Sequence, residues 1–433
     1  MKKIEYNPDL FFSYDPNYLI IEVSGEEYVF YNSIRHFACK INKLELLLLN
    51  ALYKYGNIDY ITKKISIEQQ KKIKEALQRL INSQILSTEP LTDEPCNQNG
   101  KAELKTYYLH LTYRCNLNCS YCYNKTIRVN RKEELAIQEW ERIVDKITAD
   151  AHMIVLTGGE CFLYKDIVPL LKYIREKASK MTLSCISNCM HDFSSRSINR
   201  AFEYLDEITF SCDSISKEGE RKGFNPEVFR KNIEYIKTNF PHIKISISKT
   251  NTIDSEDDTK EIRSFCNTSG CNFTNIILNP SKYDDIEMMP PITDYLKEDA
   301  SSEHPDKKSH SDLGVRKMRC GAAKNTCSID PVGNVYPCQC LHFEEFLMGN
   351  LLEKEISELR YQDEEECVPC IDEIPECAKC KVKYICGGGC FASGYELRKN
   401  MLGHNKWLCP YNYNIAIKKL LHIENQSLTE DRR

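Results

Sequence analysis

The sequence predicts an α/β protein built around a partial (β/α)6 TIM-like barrel, with a small N-terminal domain before it and a cysteine-rich domain after it. Between residues 105 and 280, six short apolar or β-branched runs alternate with five helical stretches. This alternation is typical of parallel strands joined by right-handed helical crossovers. Three cysteines follow the first run, and the 433 residues contain 22 cysteines, which indicates metal chemistry next to the barrel.

The first 87 residues predict a winged-helix-like domain. Two β-rich runs, YLIIEVSG and EYVFYNS, are separated by a Gly-containing turn that is typical of a hairpin. Helices are predicted at about residues 44–55 and 67–82, with QILST as a closing strand. By composition alone such a domain is a docking or dimerisation unit. Residues 88–104 are rich in polar residues, Pro and Gly, and predict a linker.

Six apolar runs define the predicted barrel at residues 105–280: TYYLHLTY, MIVLTGG, MTLSCIS, EITFSCD, IKISISK and TNIILNP. Helices are predicted between them at about residues 132–149, 165–179, 194–206, 226–239 and 257–268. In barrels of this kind the catalytic groups lie on loops at the C-terminal ends of the strands. We therefore expect the cysteines after the first strand and the TGGE segment after the second to lie on one face.

The remaining segments and the net charge of the protein limit the kinds of partner that we expect it to bind. Residues 281–318 are polar and interrupted by prolines, which predicts a bridge, and residues 319–433 form the predicted cysteine-rich domain. The net charge is -5, without a long basic run, so nucleic acid is not expected as a partner. No run of about 18 apolar residues and no signal peptide is present, so we expect no membrane contact and a cytoplasmic location.

The cysteines are interpreted first as metal ligands, because disulfides rarely persist in a reducing compartment. The segment CNLNCSYC places Cys115, Cys119 and Cys122 in the pattern C-x3-C-x2-C. Three thiolates leave one iron of a four-iron cluster without a protein ligand, and a small molecule can bind that iron through its own donor atoms. The alternative is a zinc loop completed by a distant His or Cys.

This motif resembles that of the radical S-adenosylmethionine (SAM) superfamily, and the resemblance covers residues 105–280. It implies that the three cysteines hold a 4Fe-4S cluster whose open iron is chelated by the amino and carboxyl groups of SAM. Gly158, Gly159 and Glu160 match the GGE signature that lines the methionine end of SAM. The family usually continues with Pro, whereas Cys161 follows here.

Further SAM contacts are implied by position in the same family, although each residue alone could serve barrel packing. The segment ISNC resembles the strand-end motif TNG, with Cys189 in place of Gly, and SCDS resembles S-x-D-G. The aromatic residue before the last cluster cysteine matches one that stacks near the adenine. The residues implied are Tyr121, Ser187, Asn188, Ser211 for the ribose or carboxylate, and Arg221 for the downstream arginine.

The C-terminal cysteines form a second pattern: C-x12-G-x4-C, then C-x2-C-x5-C-x3-C, then a last cysteine. The series resembles the SPASM domain of radical SAM enzymes that modify peptides and proteins, which implies two auxiliary 4Fe-4S clusters. The implied ligands are Cys320, Cys327, Cys338 and Cys390 for the first, and Cys377, Cys380, Cys386 and Cys409 for the second. Two zinc sites would use the same ligands. Cys340, Cys367 and Cys370 lie close enough in sequence to substitute, which leaves Cys327 open.

The N-terminal module then resembles the winged-helix element that captures a leader peptide as an added strand. Together these resemblances imply a maturase that modifies a ribosomally synthesised precursor peptide. The reaction favoured is a Cys sulfur-to-carbon thioether cross-link, because an auxiliary cluster could hold the thiolate. Three 4Fe-4S clusters, SAM, the precursor peptide, and a one-electron reductant such as flavodoxin or ferredoxin are the implied cofactors and partners.

Three other functions stay open on the sequence alone. Carbon-carbon cross-linking shares the same architecture. Formylglycine formation is less favoured, because Gln339 occupies the position at which the anaerobic sulfatase-maturing enzymes, which form formylglycine, carry an acidic residue. A non-catalytic iron-sulfur or zinc protein for electron transfer or scaffolding is the alternative from another class. Asp213 is a polar group expected near the barrel mouth, but no catalytic base is assigned.

Overall fold

The computed structural model describes residues 18–33, 37–55, 66–83, 85–86, 104–125, 133–253, 255–292, 316–359 and 368–421. Nearly all of the predicted linker, most of the predicted bridge, and both Cys96 and Cys367 lie outside these ranges. In the described part, no helix is long and apolar enough to cross a membrane.

The N-terminal unit is a three-stranded antiparallel sheet followed by two helices. Its elements are β1 (Tyr18–Ser24), β2 (Glu27–Asn32), β3 (Phe37–Asn42), α1 (Lys43–Tyr55) and α2 (Ile67–Asn82). The strands are paired in the order β1-β2-β3. The sequence patterns missed β3. Ile85 and Leu86 pack into the core of this unit, and the rest of the predicted closing strand QILST lies outside the described residues.

The central sheet contains all six strands that the apolar runs predict. They are β4 (Thr106–Thr112), β6 (Met153–Gly158), β7 (Thr182–Ser187), β8 (Glu207–Ser211), β10 (Lys244–Asn251) and β11 (Asn272–Ile277). They are parallel and lie in the order β11-β10-β8-β7-β6-β4. The α/β class with a largely parallel sheet is therefore confirmed, and the C-terminal ends of these strands share one edge.

Four of the five predicted crossover helices are present. They are α3 (Ile137–Ile147), α4 (Ile167–Lys177), α5 (Pro226–Asn239) and α6 (Glu256–Ser269). Between β7 and β8 the predicted helix is reduced to a 3-10 helix, Asn199–Glu203. Serine hydroxyls before it bond locally: Ser194 Oγ donates to Asp192 at 2.5 Å and Ser195 Oγ lies 3.2 Å from Ser197 Oγ. Such bonds compete with helix formation.

The central sheet continues into the C-terminal cysteine-rich region. β12 (Thr326–Ile329) pairs in parallel with β4, and β13 (Asn334–Tyr336) and β14 (Gly349–Asn350) extend the sheet to nine strands. The helices that follow are α7 (Pro375–Ala378), α8 (Lys383–Cys386), α9 (Phe391–Arg398) and α10 (Cys409–Leu421). The sheet therefore crosses the boundary at residue 319 that the sequence predicts.

The N-terminal sheet packs against this C-terminal region. Val29, Tyr31 and Ala38 form an apolar cluster with Ile385 and Ala416. Those two partners lie in α8 and α10, beside the cysteines of the second predicted auxiliary site. Burial of these side chains stabilises the contact in proportion to the apolar area removed from water, by about 25 cal/mol per Å².

Two leucines on α1 provide a matched test of the N-terminal core. Leu49 is fully buried, whereas Leu47 is 58% exposed. Leu49→Ala leaves a cavity, so we expect it to lower the free energy of unfolding of this unit by about 2–5 kcal/mol. Leu47→Ala should change it by less than about 0.5 kcal/mol. Amide hydrogen exchange of α1 measures both, and equal effects would show that the packing is described wrongly.

Candidate active site

The loop with the first three cysteines follows β4 and is held by a second short strand pair. β5 (Asn118–Cys119) pairs antiparallel with β9 (Arg221–Lys222). The N–H of Ser120 donates to the carbonyl of Glu220 at 3.0 Å, and its hydroxyl donates to the Glu220 carboxylate at 2.6 Å. The segment before α5 therefore fixes the cysteine loop against the central sheet.

The three thiols influence one another electrostatically. Burial raises the pKa of Cys119 to about 11, the positive charge of Arg221 opposes that rise, and Cys122 and Cys115 add to it. Like charges at short range disfavour the loss of all three protons. Binding of positively charged iron removes this penalty, because metal binding is coupled to thiol deprotonation.

Two glycines let the end of β6 run against the backbone that leads into the cysteine loop. The N–H of Gly159 donates to the carbonyl of Thr112 at 2.7 Å, and that of Glu160 donates to Arg114 at 2.8 Å. A Cβ at Gly158 would lie 2.3 Å from the Thr112 oxygen, and one at Gly159 would lie 2.2 Å from the Arg114 oxygen. Any side chain at either position would therefore force the segments apart.

Glu160 connects the ends of three neighbouring strands. Its carboxylate is 1% exposed and accepts hydrogen bonds from the Ser187 hydroxyl at 2.9 Å and the Asn188 N–H at 2.8 Å. The Asn188 side chain donates to Asn116 at 2.7 Å and lies 3.8 Å from the Cys115 sulfur. The structure therefore brings the GGE segment, the Ser187–Asn188 segment and the first cysteine together.

Cys189 lies at the end of β7, at the position where the resembling family usually has glycine. Its φ is +67°, in the left-handed region that favours glycine. The Asn232 side chain donates to its carbonyl at 2.8 Å, and its own N–H donates to Ser187 at 3.0 Å. The surrounding hydrogen bonds hold the unfavourable conformation, so the loop keeps its course without glycine.

A buried polar triad lies on the other side of the cysteine loop. The Tyr121 hydroxyl donates to Asp213, and the Nε atom of Arg221 lies 3.1 Å from Asp213 Oδ1. Burial acts to lower the pKa of Arg221, but Asp213 and Tyr121 hold it above its ordinary value. Asp213 also accepts from the Thr250 N–H at 3.2 Å. Its oxygens are therefore engaged, which argues against a role as catalytic base. Ser211 lies at the end of β8, in register with Ser248.

The first predicted auxiliary set is only partly brought together. Cys320, Cys338 and Cys390 are partly buried at the edge of the main apolar core. Cys327 instead lies within β12, fully buried and in register with Tyr107 of β4. The strand pairing places its thiol among core side chains.

The second predicted set shares one cavity. Cys377, Cys380, Cys386 and Cys409 all line it. The glycines 387–389 that follow have φ values of 78°, 71° and 74°, which only glycine adopts readily in succession. The N–H groups of Gly388 and Gly389 reach the Cys386 sulfur, where they oppose the rise in its pKa that burial causes. Backbone N–H groups directed at a sulfur suit an anionic thiolate-bound cluster.

Arg319 is a site residue that the sequence patterns missed. Its side chain donates to the carbonyls of Gly389 at 3.3 Å and Cys390 at 3.1 Å. It is 2% exposed, and its Nη1 has no partner among the described residues. Burial lowers its pKa, and the negative charges of Cys390 and Cys377, one from each set, oppose this. Arg319 is therefore a buried cation between the two sets; its position next to Cys320 was the available signal.

Two contacts connect the first cysteine loop with the turn that carries Cys338. The Tyr113 hydroxyl lies 2.6 Å from His342 Nδ1, and the Tyr123 hydroxyl donates to Gln339 at 3.5 Å. Within the described ranges, no three His, Cys, Asp or Glu side chains converge as they would around a single ion.

Gly159→Ala tests the close approach of β6 to the cysteine loop. The new Cβ displaces the segment before Cys115, so we expect anaerobically reconstituted protein to lose up to about four irons per chain. Gly25→Ala is the control, because a Cβ there meets nothing within 4 Å. Full iron content in Gly159→Ala would show that this approach is not required.

Asp213→Asn tests the buried triad. It leaves the Arg221 charge without a carboxylate partner, so we expect a loss of about 3–5 kcal/mol in the free energy of unfolding. Asp257→Asn is the matched control: Asp257 is 97% exposed and should cost less than about 0.5 kcal/mol. Urea denaturation compares them, and similar midpoints would contradict the role given to Asp213.

Comparison with known proteins identifies the central domain. Residues 109–262 match the model of the radical SAM superfamily. The subtilosin biosynthesis protein AlbA of Bacillus subtilis is 22% identical over 348 residues, covering 72% of each chain. The mycofactocin maturase MftC of Mycolicibacterium smegmatis is 25% identical over 312 residues, covering 66% of this chain and 77% of MftC.

Solved structures show the same fold over most of the chain. Streptococcus suis SuiB bound to its precursor peptide SuiA aligns with 92% of this chain and 99% of SuiB, with a TM-score of 0.51 and 16% identity. The parallel sheet, the cysteine loop after its first strand and the superfamily match agree with one another. The protein therefore contains a radical SAM domain at residues 109–262.

Proposed function

We propose that this enzyme modifies a ribosomally synthesised precursor peptide by forming Cys sulfur-to-carbon thioether cross-links. The observation that carries the proposal is the arrangement of two further cysteine groups beside the barrel, one of which the N-terminal sheet covers. The similarity to AlbA, MftC and peptide-bound SuiB supports a peptide substrate.

SAM would bind across the strand ends that Glu160 joins. Cys115, Cys119 and Cys122 would hold a 4Fe-4S cluster, which would supply the electron for cleavage of SAM into methionine and a hydrogen-abstracting 5'-deoxyadenosyl radical. Gly158, Gly159 and Glu160 would line the methionine end. The further contacts that we propose for SAM are Tyr121, Ser187, Asn188, Ser211 and Arg221.

The residues around the loop have distinct tasks in this scheme. Glu160 fixes the Asn188 backbone, which keeps the surface for the SAM amino and carboxyl groups in place. Arg221 and Tyr121 are locked by Asp213 beside the cysteine loop, where they would exclude water from the nucleoside. Such preorganised polar groups lower the cost of orienting a reactive ligand.

Formation of one thioether removes one hydrogen atom, one proton and one electron from the peptide. The peptide carbon gives one hydrogen atom to the deoxyadenosyl radical, and the peptide thiol gives one proton to solvent. One electron is left over after the carbon-sulfur bond forms. The auxiliary sites, proposed on Cys320, Cys338, Cys390 and a fourth ligand, and on Cys377, Cys380, Cys386 and Cys409, would accept it. Flavodoxin or ferredoxin would reduce the first cluster for the next cycle.

The N-terminal unit would hold the leader segment of the precursor. β3 pairs with β2 on one side, and among the described residues no strand pairs with its other edge. A sheet edge accepts an extended peptide through backbone hydrogen bonds. The leader would then place the core segment over the barrel mouth, at a raised effective concentration.

Anaerobic co-expression with a short cysteine-containing precursor tests the function. We expect the peptide to lose two hydrogen atoms per cross-link and to lose reactivity of the joined Cys toward an alkylating reagent. Carbon-carbon cross-linking would leave that thiol reactive, and formylglycine formation would give an aldehyde detectable with a hydrazide.

The control is the triple variant Cys115→Ala, Cys119→Ala, Cys122→Ala. It should make no 5'-deoxyadenosine and hold about eight irons where the unaltered enzyme holds about twelve. Tightly bound zinc without SAM cleavage in the unaltered protein would contradict the proposal.

A further inference from the structure

The turn after β13 carries two cysteines, of which the sequence pattern uses only Cys338. The N–H of Cys340 donates to the Cys338 sulfur at 3.4 Å, and the two residues share one turn. Both thiols are partly buried at the edge of the main apolar core. Cys340 therefore lies next to Cys338, which is an implied cluster ligand, but it is not one of the four ligands that the sequence pattern implies.

Hydrogen bonds also hold the other members of the set near this turn. The N–H of Ala323, in the loop after Cys320, donates to the carbonyl of Pro337 at 3.1 Å. Arg319, the residue before Cys320, donates to the carbonyl of Cys390 at 3.1 Å. Cys320, Cys338 and Cys390 are thus linked through the backbone of their immediate neighbours.

Cys327 is close to the same loop in its backbone, since the Ala323 N–H also donates to the carbonyl of Thr326 at 2.9 Å, but its side chain is a fully buried member of the main core. It sits in β12 between β4 and β13, fully buried, with its backbone in register with Tyr107. A small apolar environment of this kind is typical of a structural cysteine.

We propose that Cys340, and not Cys327, is the fourth thiolate ligand of the first auxiliary cluster, with Cys320, Cys338 and Cys390. The inference rests on the proposed function for the presence of that cluster. Among the spare cysteines that the structure describes, Cys370 is disulfide-bonded, and Cys340 is the other.

A cluster ligand at position 340 would place the first auxiliary cluster near a tyrosine that contacts the first cysteine loop. The Tyr123 ring follows Cys122 and reaches the turn through Gln339. Burial raises the pKa of Tyr123, and the charges of Cys340, Cys122 and Cys338 raise it further. Tyr123 therefore lies between the first cysteine loop and the Cys338–Cys340 turn. A cluster bound by Cys340 would lie next to this tyrosine.

Iron content of two matched variants tests the assignment. Cys340→Ala and Cys327→Ala are reconstituted anaerobically with iron and sulfide, and iron and acid-labile sulfide are counted per chain. We expect Cys340→Ala to lose between about one and four irons, because a cluster left with three thiolates loses its unprotected iron or is lost whole, and Cys327→Ala to keep the full content of about twelve. Cys327→Val, which refills the buried space, guards against loss of iron through misfolding.

Every other pattern overturns the inference. If Cys327→Ala loses iron and Cys327→Val loses it as well, Cys327 is the ligand. If Cys340→Ala keeps its full iron content, Cys340 is not the ligand. An unaltered protein with only about four irons would overturn the cluster itself. Failure of the proposed peptide reaction is detected separately by mass spectrometry and leaves these iron counts unchanged.

Discussion

The close approach of β6 to the backbone before Cys115 is the contact on which the rest of the site depends. Two hydrogen bonds, from Gly159 to Thr112 and from Glu160 to Arg114, continue the sheet past its regular end. This extension carries the Glu160 carboxylate into the interior, where it meets the ends of β7. The cysteine loop is therefore positioned by sheet geometry, and its own short sequence contributes the ligands.

Buried cations organise the cysteine sites in two places. Arg221 lies against the first loop and is neutralised by a carboxylate. Arg319 lies between the two C-terminal sets and donates only to backbone carbonyls in the described structure. A buried positive charge without a carboxylate partner is costly unless other negative charge is near. Thiolate-bound clusters on either side would provide that charge.

The sequence predicted most of what has a local signal. Apolar runs predicted all six parallel strands, and the cysteine and glycine spacings located the loops. The weaker helix before β8 and the strand β3 were misjudged, because serine side chains and short mixed runs give no clear periodicity. Long-range pairing has no local signal at all. The pairing of β12 with β4 decides that Cys327 faces the core, and spacing alone could not show it.

The same limit applies to the residues that join the sites. Asp213 and Arg221 are close only because β9 folds back on the cysteine loop. Arg319 could be suspected from its place next to Cys320, but its reach toward Cys390 depends on the glycine turn at residues 387–389. Chemistry-bearing residue types were therefore visible in the sequence, and their partners were visible only in the fold.

If the second cysteine set holds the proposed cluster, the packing of the N-terminal sheet on this set links assembly to metal loading. Tyr31 is fully buried there, and besides burial the charge of Cys380 raises its pKa. A group that binds only the docked arrangement stabilises it by mass action, and docking in turn strengthens the binding of that group. Cells short of iron would then accumulate chains in which the N-terminal unit is less firmly attached. Iron supply would thereby control how well the enzyme holds its N-terminal unit in place.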